Sequence, residues 1–219
     1  MTDWNNKEEV LEAVKNYGPE LQYASEELRA DKEVVLAAMK KNGYALQYAS
    51  KELQADKKVV LAAVKNDGHG ALEYASEELR ADKEVVMAAV KNDGQGALEY
   101  ASEELRADKE VVLAAMKQYG GFLEYASEEL RGDREVVMVA VRNSGHALKY
   151  VSKELRADKD VVMAAAAGGD LTYDFLQLIS KDLRAVKELV MAAVSYYGLA
   201  LKYASEELRA DKEVVLAAV

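Results

Sequence analysis

Residues 97–112 read ALEYASEELRADKEVV, and residues 71–86 read the same sixteen letters. The rest of the chain consists of copies and worn copies of this unit. Self-similarity at a fixed period of a few tens of residues marks a repeat array, in which each copy contacts only its neighbours. A marker tyrosine recurs at Tyr23, Tyr48, Tyr74, Tyr100, Tyr125, Tyr150 and Tyr203, with Leu178 in its place in the seventh copy. The spacings are 25, 26, 26, 25, 25, 28 and 25 residues. Residues 6–18 (NKEEVLEAVKNYG) align with residues 31–43 (DKEVVLAAMKKNG), so the chain opens with half a repeat and continues with eight full ones.

Each repeat reads as two short helices. The second helix starts at an acid able to accept the free N–H groups of a first turn, at Asp31, Asp56, Asp82, Asp108, Asp133, Asp158 and Asp211. Its last turn carries Lys-Asn or Arg-Asn. The glycine that follows, at 18, 43, 68, 94, 120, 145 and 198, is expected to take the left-handed conformation that closes a helix. Its body, Val-Val-Leu-Ala-Ala-Val, is apolar on all sides, which predicts burial on all sides. The first helix is predicted from Tyr44 to about Leu53, where Ala45, Leu46, Ala49 and Leu53 form one stripe of period 3.6. The Ser-Glu-Glu-Leu-Arg segment either finishes that helix or forms a separate turn before the Asp cap. Helices this short are marginal alone, so stability has to come from stacking.

The chain is therefore expected to be all-α: an α-solenoid of about eight and a half two-helix repeats with a period of 25–26 residues. It reads as one array over residues 1–219, with an opening half-repeat at 6–18 and a degenerate seventh repeat at about 168–198. The last helix stops at Val219, before the Lys-Asn-x-Gly that follows most of the others. That leaves an apolar end, to be covered by further repeats or by end-to-end stacking with another molecule.

Composition narrows the function classes. The net charge of −10 and a pI near 4.9 oppose nucleic-acid binding, which relies on Lys and Arg displacing counterions from phosphates. With no cysteine there is neither a disulfide framework nor a thiolate metal site. Residues 1–6 (MTDWNN) have no apolar leader character, and the longest apolar runs, such as residues 85–90, fall far short of the roughly 20 residues that span a bilayer. A soluble protein, cytoplasmic by default, is expected.

No stretch encodes a recognisable chemistry. His69 and His146 lie about three repeats apart in turns and read as solvent-exposed side chains, not metal ligands or catalytic bases. Paired acids such as Glu103 and Glu104 recur as equivalent, solvated groups, whereas acid–base catalysis needs two carboxyls in different environments. Gly68-His69-Gly70 and Gly94-Gln95-Gly96 lack the third glycine and preceding strand of a dinucleotide loop. Each adds one residue to its turn, which reads as an adjustment of curvature. The tyrosine column could stack bases, but half-buried packing outweighs that reading. Trp4 is expected to cover the N-terminal end of the stack. Catalytic, cofactor-binding and metal-ligating residues are thus none.

The seventh repeat departs most from the pattern. Residues 164–175 (AAAAGGDLTYDF) lengthen the junction, and Val186 stands where the capping Asp belongs. Drift in one copy of a redundant array is the weightier explanation. The alternative is a recognition bulge presenting Tyr173, Asp174 and Phe175.

The unit ALxYASEELRADKEVVxAAVKxxG resembles the repeat family known as domain of unknown function 4116, from Asn6 to Val219 and most weakly in the seventh copy. The resemblance implies a helical repeat fold with no established activity and no catalytic residues to carry over. The functional expectation is a non-enzymatic scaffold for protein partners or a larger assembly. An enzyme or small-ligand binder using a pocket near the seventh repeat is the alternative.

Overall fold

Outside the seventh repeat, the long helix of each repeat starts on a local signal. In the computed structural model, which describes residues 2–92 and 97–219, Asp31 Oδ1 accepts the N–H groups of Glu33 at 2.9 Å and Val34 at 3.2 Å. Asp56, Asp82, Asp108, Asp133, Asp158 and Asp211 repeat that bond pair. The helices so capped include Lys32–Met39, Lys57–Val64, Lys83–Asn92, Arg134–Asn143 and Lys212–Ala217. Asn6 does the same for the opening helix, Lys7–Asn16. Among the described residues there is no strand.

What precedes each long helix is two pieces, not one continuous helix. Gly43–Tyr48 is a 3-10 turn; Ala49 is extended, at φ −71° and ψ 156°; Ser50 then caps a separate turn, Lys51–Gln54. The break has a cause outside the repeat. With Ala49 extended, the Ser50 N–H points away from its own helix and donates to Arg29 O of the preceding repeat at 3.0 Å. The same bond joins Ser76 to Gln54, Ser102 to Arg80, Ser152 to Arg131 and Ser205 to Arg184. Ser25 finds its acceptor in Trp4 O. A continuous helix would keep this N–H for itself, so the stripe read from Tyr44 to Leu53 is folded at Ala49.

The third repeat absorbs its extra residue locally. Gly68–Tyr74 has seven residues and is α-helical, where its six-residue counterparts are 3-10 helices. Ala75 N–H accordingly reaches back four residues to Ala71, whereas Ala49 N–H reaches back three to Leu46. Six residues at about 2.0 Å and seven at about 1.5 Å span nearly the same length. The extra residue thus changes the type of turn, and the expected adjustment of curvature is not needed to place it. The corresponding Gln95-Gly96 insertion lies outside the described residues, as does the side chain of His69.

Two expectations are corrected. The recurring glycine is not left-handed: among the described residues only Gly169 and Asp170 have positive φ. The residue before the glycine is the extended one, as at Tyr17 (φ −142°) or Asn42 (φ −157°). Glycine is needed there for close approach. A Cβ on Gly18 would lie 2.7 Å from Ala38 O of the next long helix, and one on Gly120 would strike Ala140 O. The second correction concerns burial. Val34, Val35, Ala38 and Met39 are fully buried, but Leu36 and Ala37 between them are half-exposed, and the pattern recurs in the other repeats. A helix flanked by a neighbour on each side and by its own turns beneath still has one face left over.

The described residues gather into two compact units, 1–115 and 116–219. Within the first, the lysine opening each long helix reaches the next repeat. Lys7 pairs with Asp31 and Glu33, Lys57 with Asp82 and Glu84, and Lys83 with Asp108 and Glu110, all at 2.7–2.9 Å. Lys32 pairs with Asp56. In the second unit Arg134 pairs with Asp158 and Asp160, and Lys187 with Asp211 and Glu213. At the opposite helix end, Asn66 Nδ2 donates to Met39 O and Asn143 Nδ2 to Lys117 O, satisfying carbonyls that a helix terminus leaves unpaired.

Candidate functional site

The left-over face of the long helices carries one large apolar residue per repeat. In the first unit these are Leu11, Leu36, Leu61, Met87 and Leu113, all half-exposed. Leu11, Leu36 and Ala37 line one cavity of about 390 Å³, so neighbouring members of the row share a groove. Charge is ordered across it. Glu33, Glu84 and Glu110 are exposed at the helix N-termini, with Lys58 interrupting, and Lys15, Lys40, Lys65 and Lys91 are exposed towards the C-termini. Each sign lies at the helix end whose dipole favours it. In the second unit Met138, Met163 and Met191 are half-exposed and Leu216 is 65% exposed.

The seventh repeat is pinned to its predecessor. Gly169 (φ 69°) and Asp170 (φ 51°) turn the chain sharply after the helix Lys159–Ala167. Asp tolerates this region better than most residues. Gly145 N–H donates to Gly169 O at 2.8 Å, and the hydroxyl of the buried Ser144 donates to Asp170 Oδ2 at 2.9 Å. Leu171 is then buried. The cap is lost as its sequence predicts: Val186 makes no side-chain bond to the first turn of Lys187–Tyr196.

The three residues singled out there separate. Tyr173 is 69% exposed, whereas Phe175 is 1% exposed and belongs to the core. Asp174 lies before the turn Phe175–Leu178 without a side-chain cap bond, its carbonyl accepting from Gln177 and Leu178. Tyr173 lines a cavity of about 320 Å³ with Tyr197, Leu199, Lys202 and Tyr203. The Lys202 ammonium stands 4.7 Å over the Tyr203 ring.

The tyrosine column is half-buried from Tyr48 onward, while Tyr23 is 58% exposed with its ring 5.2 Å from that of Trp4. Tyr74 and Tyr44 meet edge-on, 3.1 Å between hydroxyls, and the Tyr44 hydroxyl pushes the Tyr74 phenol well above its ordinary range. His146 is half-buried, its ring edge-on to Tyr150 at 5.7 Å. Among the described residues no group of three His, Cys, Asp or Glu is placed to hold a metal ion, and no helix is long and apolar enough to cross a membrane.

The family model described as a domain of unknown function (DUF4116) matches residues 6–54, 56–106, 95–131, 108–156, 133–184 and 187–219. The chain belongs to this family. No curated protein and no solved structure matches it. Successive DUF4116 matches overlap by 12 or 24 residues or stand one or two residues apart, as expected when every boundary between copies is equivalent. The apolar row and the shared aspartates escaped the sequence reading of the DUF4116 unit. Their signal was present: Lys at one helix start and Asp at the next recur 24–25 residues apart, as in Lys32 and Asp56 or Lys57 and Asp82.

Proposed function

We propose that the array is a non-enzymatic scaffold that binds a protein partner along the row of half-exposed Leu and Met side chains. The observation that carries this reading is the one-per-repeat recurrence of a large apolar residue between an acidic and a basic edge. Packed helices lie about 8–10 Å apart, and residues i and i+7 of a partner helix about 10.5 Å. An amphipathic helix laid across the row would therefore meet successive repeats in register. The net charge of −10 makes nucleic acid a poor alternative, and a soluble, cytoplasmic location accompanies the proposal.

Size separation of a native lysate with mass spectrometry, run on the wild type and on the triple variant Leu36→Glu, Leu61→Glu, Met87→Glu, tests it. A partner that travels with the wild type and is lost from a folded variant supports the scaffold. A wild-type chain that stays monomeric and retains nothing counts against it.

The cavity beside Tyr173 favours a second reading, a small-ligand site. Its walls are three tyrosines and Leu199 beside the Lys202 ammonium, which suit a flat aromatic ligand, more so an anionic one. Loss of ligand binding in Tyr173→Ala, with thermal stability unchanged, is the result it requires.

A further inference from the structure

The sixth repeat reverses the local charge of the array at one place. Where the third and fourth copies read ALEYASEEL, residues 147–155 read ALKYVSKEL, so Lys149 and Lys153 stand where Glu99 and Glu103 stand in the fourth copy. Other repeats carry a lysine at one of the two positions, as at Lys51, Lys181 or Lys202; the sixth alone carries both.

The fold places these lysines beside two arginines. Lys149, Lys153, Arg131, Arg156, Ser152 and Glu128 line one cavity of about 450 Å³ at the junction of the fifth and sixth repeats. It holds four cations against one acid, on a chain whose net charge is −10. Glu154, next in sequence to Lys153, feels the charge of Lys153 and Arg156 without closing an ion pair with either. Arg131 Nη2 is 3.7 Å from Glu128 Oε1, a long contact to a carboxylate 95% exposed, and Lys149 lies 5.7 Å from the Tyr150 ring centre. Among the described residues Lys149, Lys153 and Arg156 have no ion-pair partner within 4 Å. The Nε groups of Arg131 and Arg156 are buried without an acceptor. Arg29 and Arg80 share that last feature, so it is the pairing with two lysines that distinguishes this place.

We propose that this cavity is a binding site for a compact phosphate-type oxyanion carried by a small molecule. Two guanidinium groups offer the planar donor forks that fit phosphate oxygens, and two ammonium groups supply further charge. A single basic pocket among acidic repeats suits one localised anion, whereas a nucleic-acid strand needs a continuous basic track.

The test is calorimetric titration of the full chain with inorganic phosphate and with pyrophosphate. Wild type is expected to bind one pyrophosphate saturably, with affinity falling as NaCl is raised. The double variant Lys149→Glu, Lys153→Glu should weaken it at least about tenfold. It introduces only residues that other repeats carry at these positions, and an unchanged melting curve verifies its fold. Arg156→Gln, which copies Gln54 of the second repeat, should weaken binding as well. Absence of saturable binding, equal binding by wild type and the folded double variant, or binding of an RNA oligonucleotide alone overturns the proposal.

Discussion

The Lys57 ammonium lies 2.7 Å from Asp82 Oδ2, while Oδ1 of the same carboxylate accepts the Glu84 and Val85 N–H groups. One side chain thus starts its own helix and ties it to the preceding repeat. Ser or Asn could supply the first function but not the charge needed for the second.

Asp82→Asn and Asp82→Ala should separate the two roles. Asn keeps an acceptor for the first turn and loses the ion pair, so its effect should be small and shrink as salt is added. Ala loses the cap as well and should cost about 1 kcal/mol more. Urea unfolding at low and high salt measures both.

Acid should weaken the array through the same carboxylates. The preceding lysine, hydrogen-bonded to Asp31, Asp56, Asp82 and Asp108, holds each below its ordinary range. A depressed folded pKa gives stability that is present above the unfolded value of about 3.9 and is lost as pH falls through the lower folded value. The urea midpoint should therefore drop below about pH 4, and less steeply in Lys57→Met. Lys57 and Lys83 are raised by their carboxylate partners. Their contribution is intact below about pH 10.4 and fades as pH rises above it.

Two glycines in the second unit should respond oppositely to alanine. On Gly120 a Cβ would strike Ala140 O in the next helix, and the loss should be about 1–3 kcal/mol. On Gly132, at φ −102°, a Cβ meets nothing nearer than Glu129 O at 3.4 Å, and other repeats carry alanine there. Gly132→Ala should gain about 0.5–1 kcal/mol by restricting the unfolded chain. Urea midpoints of both variants decide.

Val186→Asp should repair the seventh repeat. Val186 already has the backbone of a capping residue, at φ −85° and ψ 111°, close to the −84° and 111° of Asp56. The new carboxylate would face the first-turn N–H groups of Glu188 and Leu189. A gain of about 1 kcal/mol is expected; no rise in melting temperature would show that the junction holds the cap site out of register.

The helix starts were legible because an Asp cap followed by an apolar run is a signal carried within a few residues. The glycines were located but their cause was not, since the atom that excludes a Cβ at Gly18 belongs to Ala38, twenty residues on. Whether the chain breaks at Ala49 stayed open in the sequence for a similar reason: the break is tied to the carbonyl of Arg29. At the seventh repeat, sequence located the departure and the missing cap. It could not tell that of three adjacent residues Tyr173 faces solvent and Phe175 the core, because that depends on Gly169 and Asp170 being left-handed. The basic cavity of the sixth repeat was readable in principle from ALKYVSKEL, but its two arginines come from neighbouring repeats and only the fold unites them.

The bond from each serine N–H to the arginine or glutamine carbonyl of the preceding repeat has a mechanical consequence. It gives every junction in residues 1–115 nearly the same fastening, one backbone bond and one lysine–aspartate pair. Stretched from its ends, this segment should behave like a row of equal clasps opening in sequence. About 25 residues of extended chain measure roughly 85 Å, against about 10 Å of packed helix spacing. Single-molecule extension should show steps of roughly 75 Å at similar force, and the chain would act as a compliant tether as well as a binding surface.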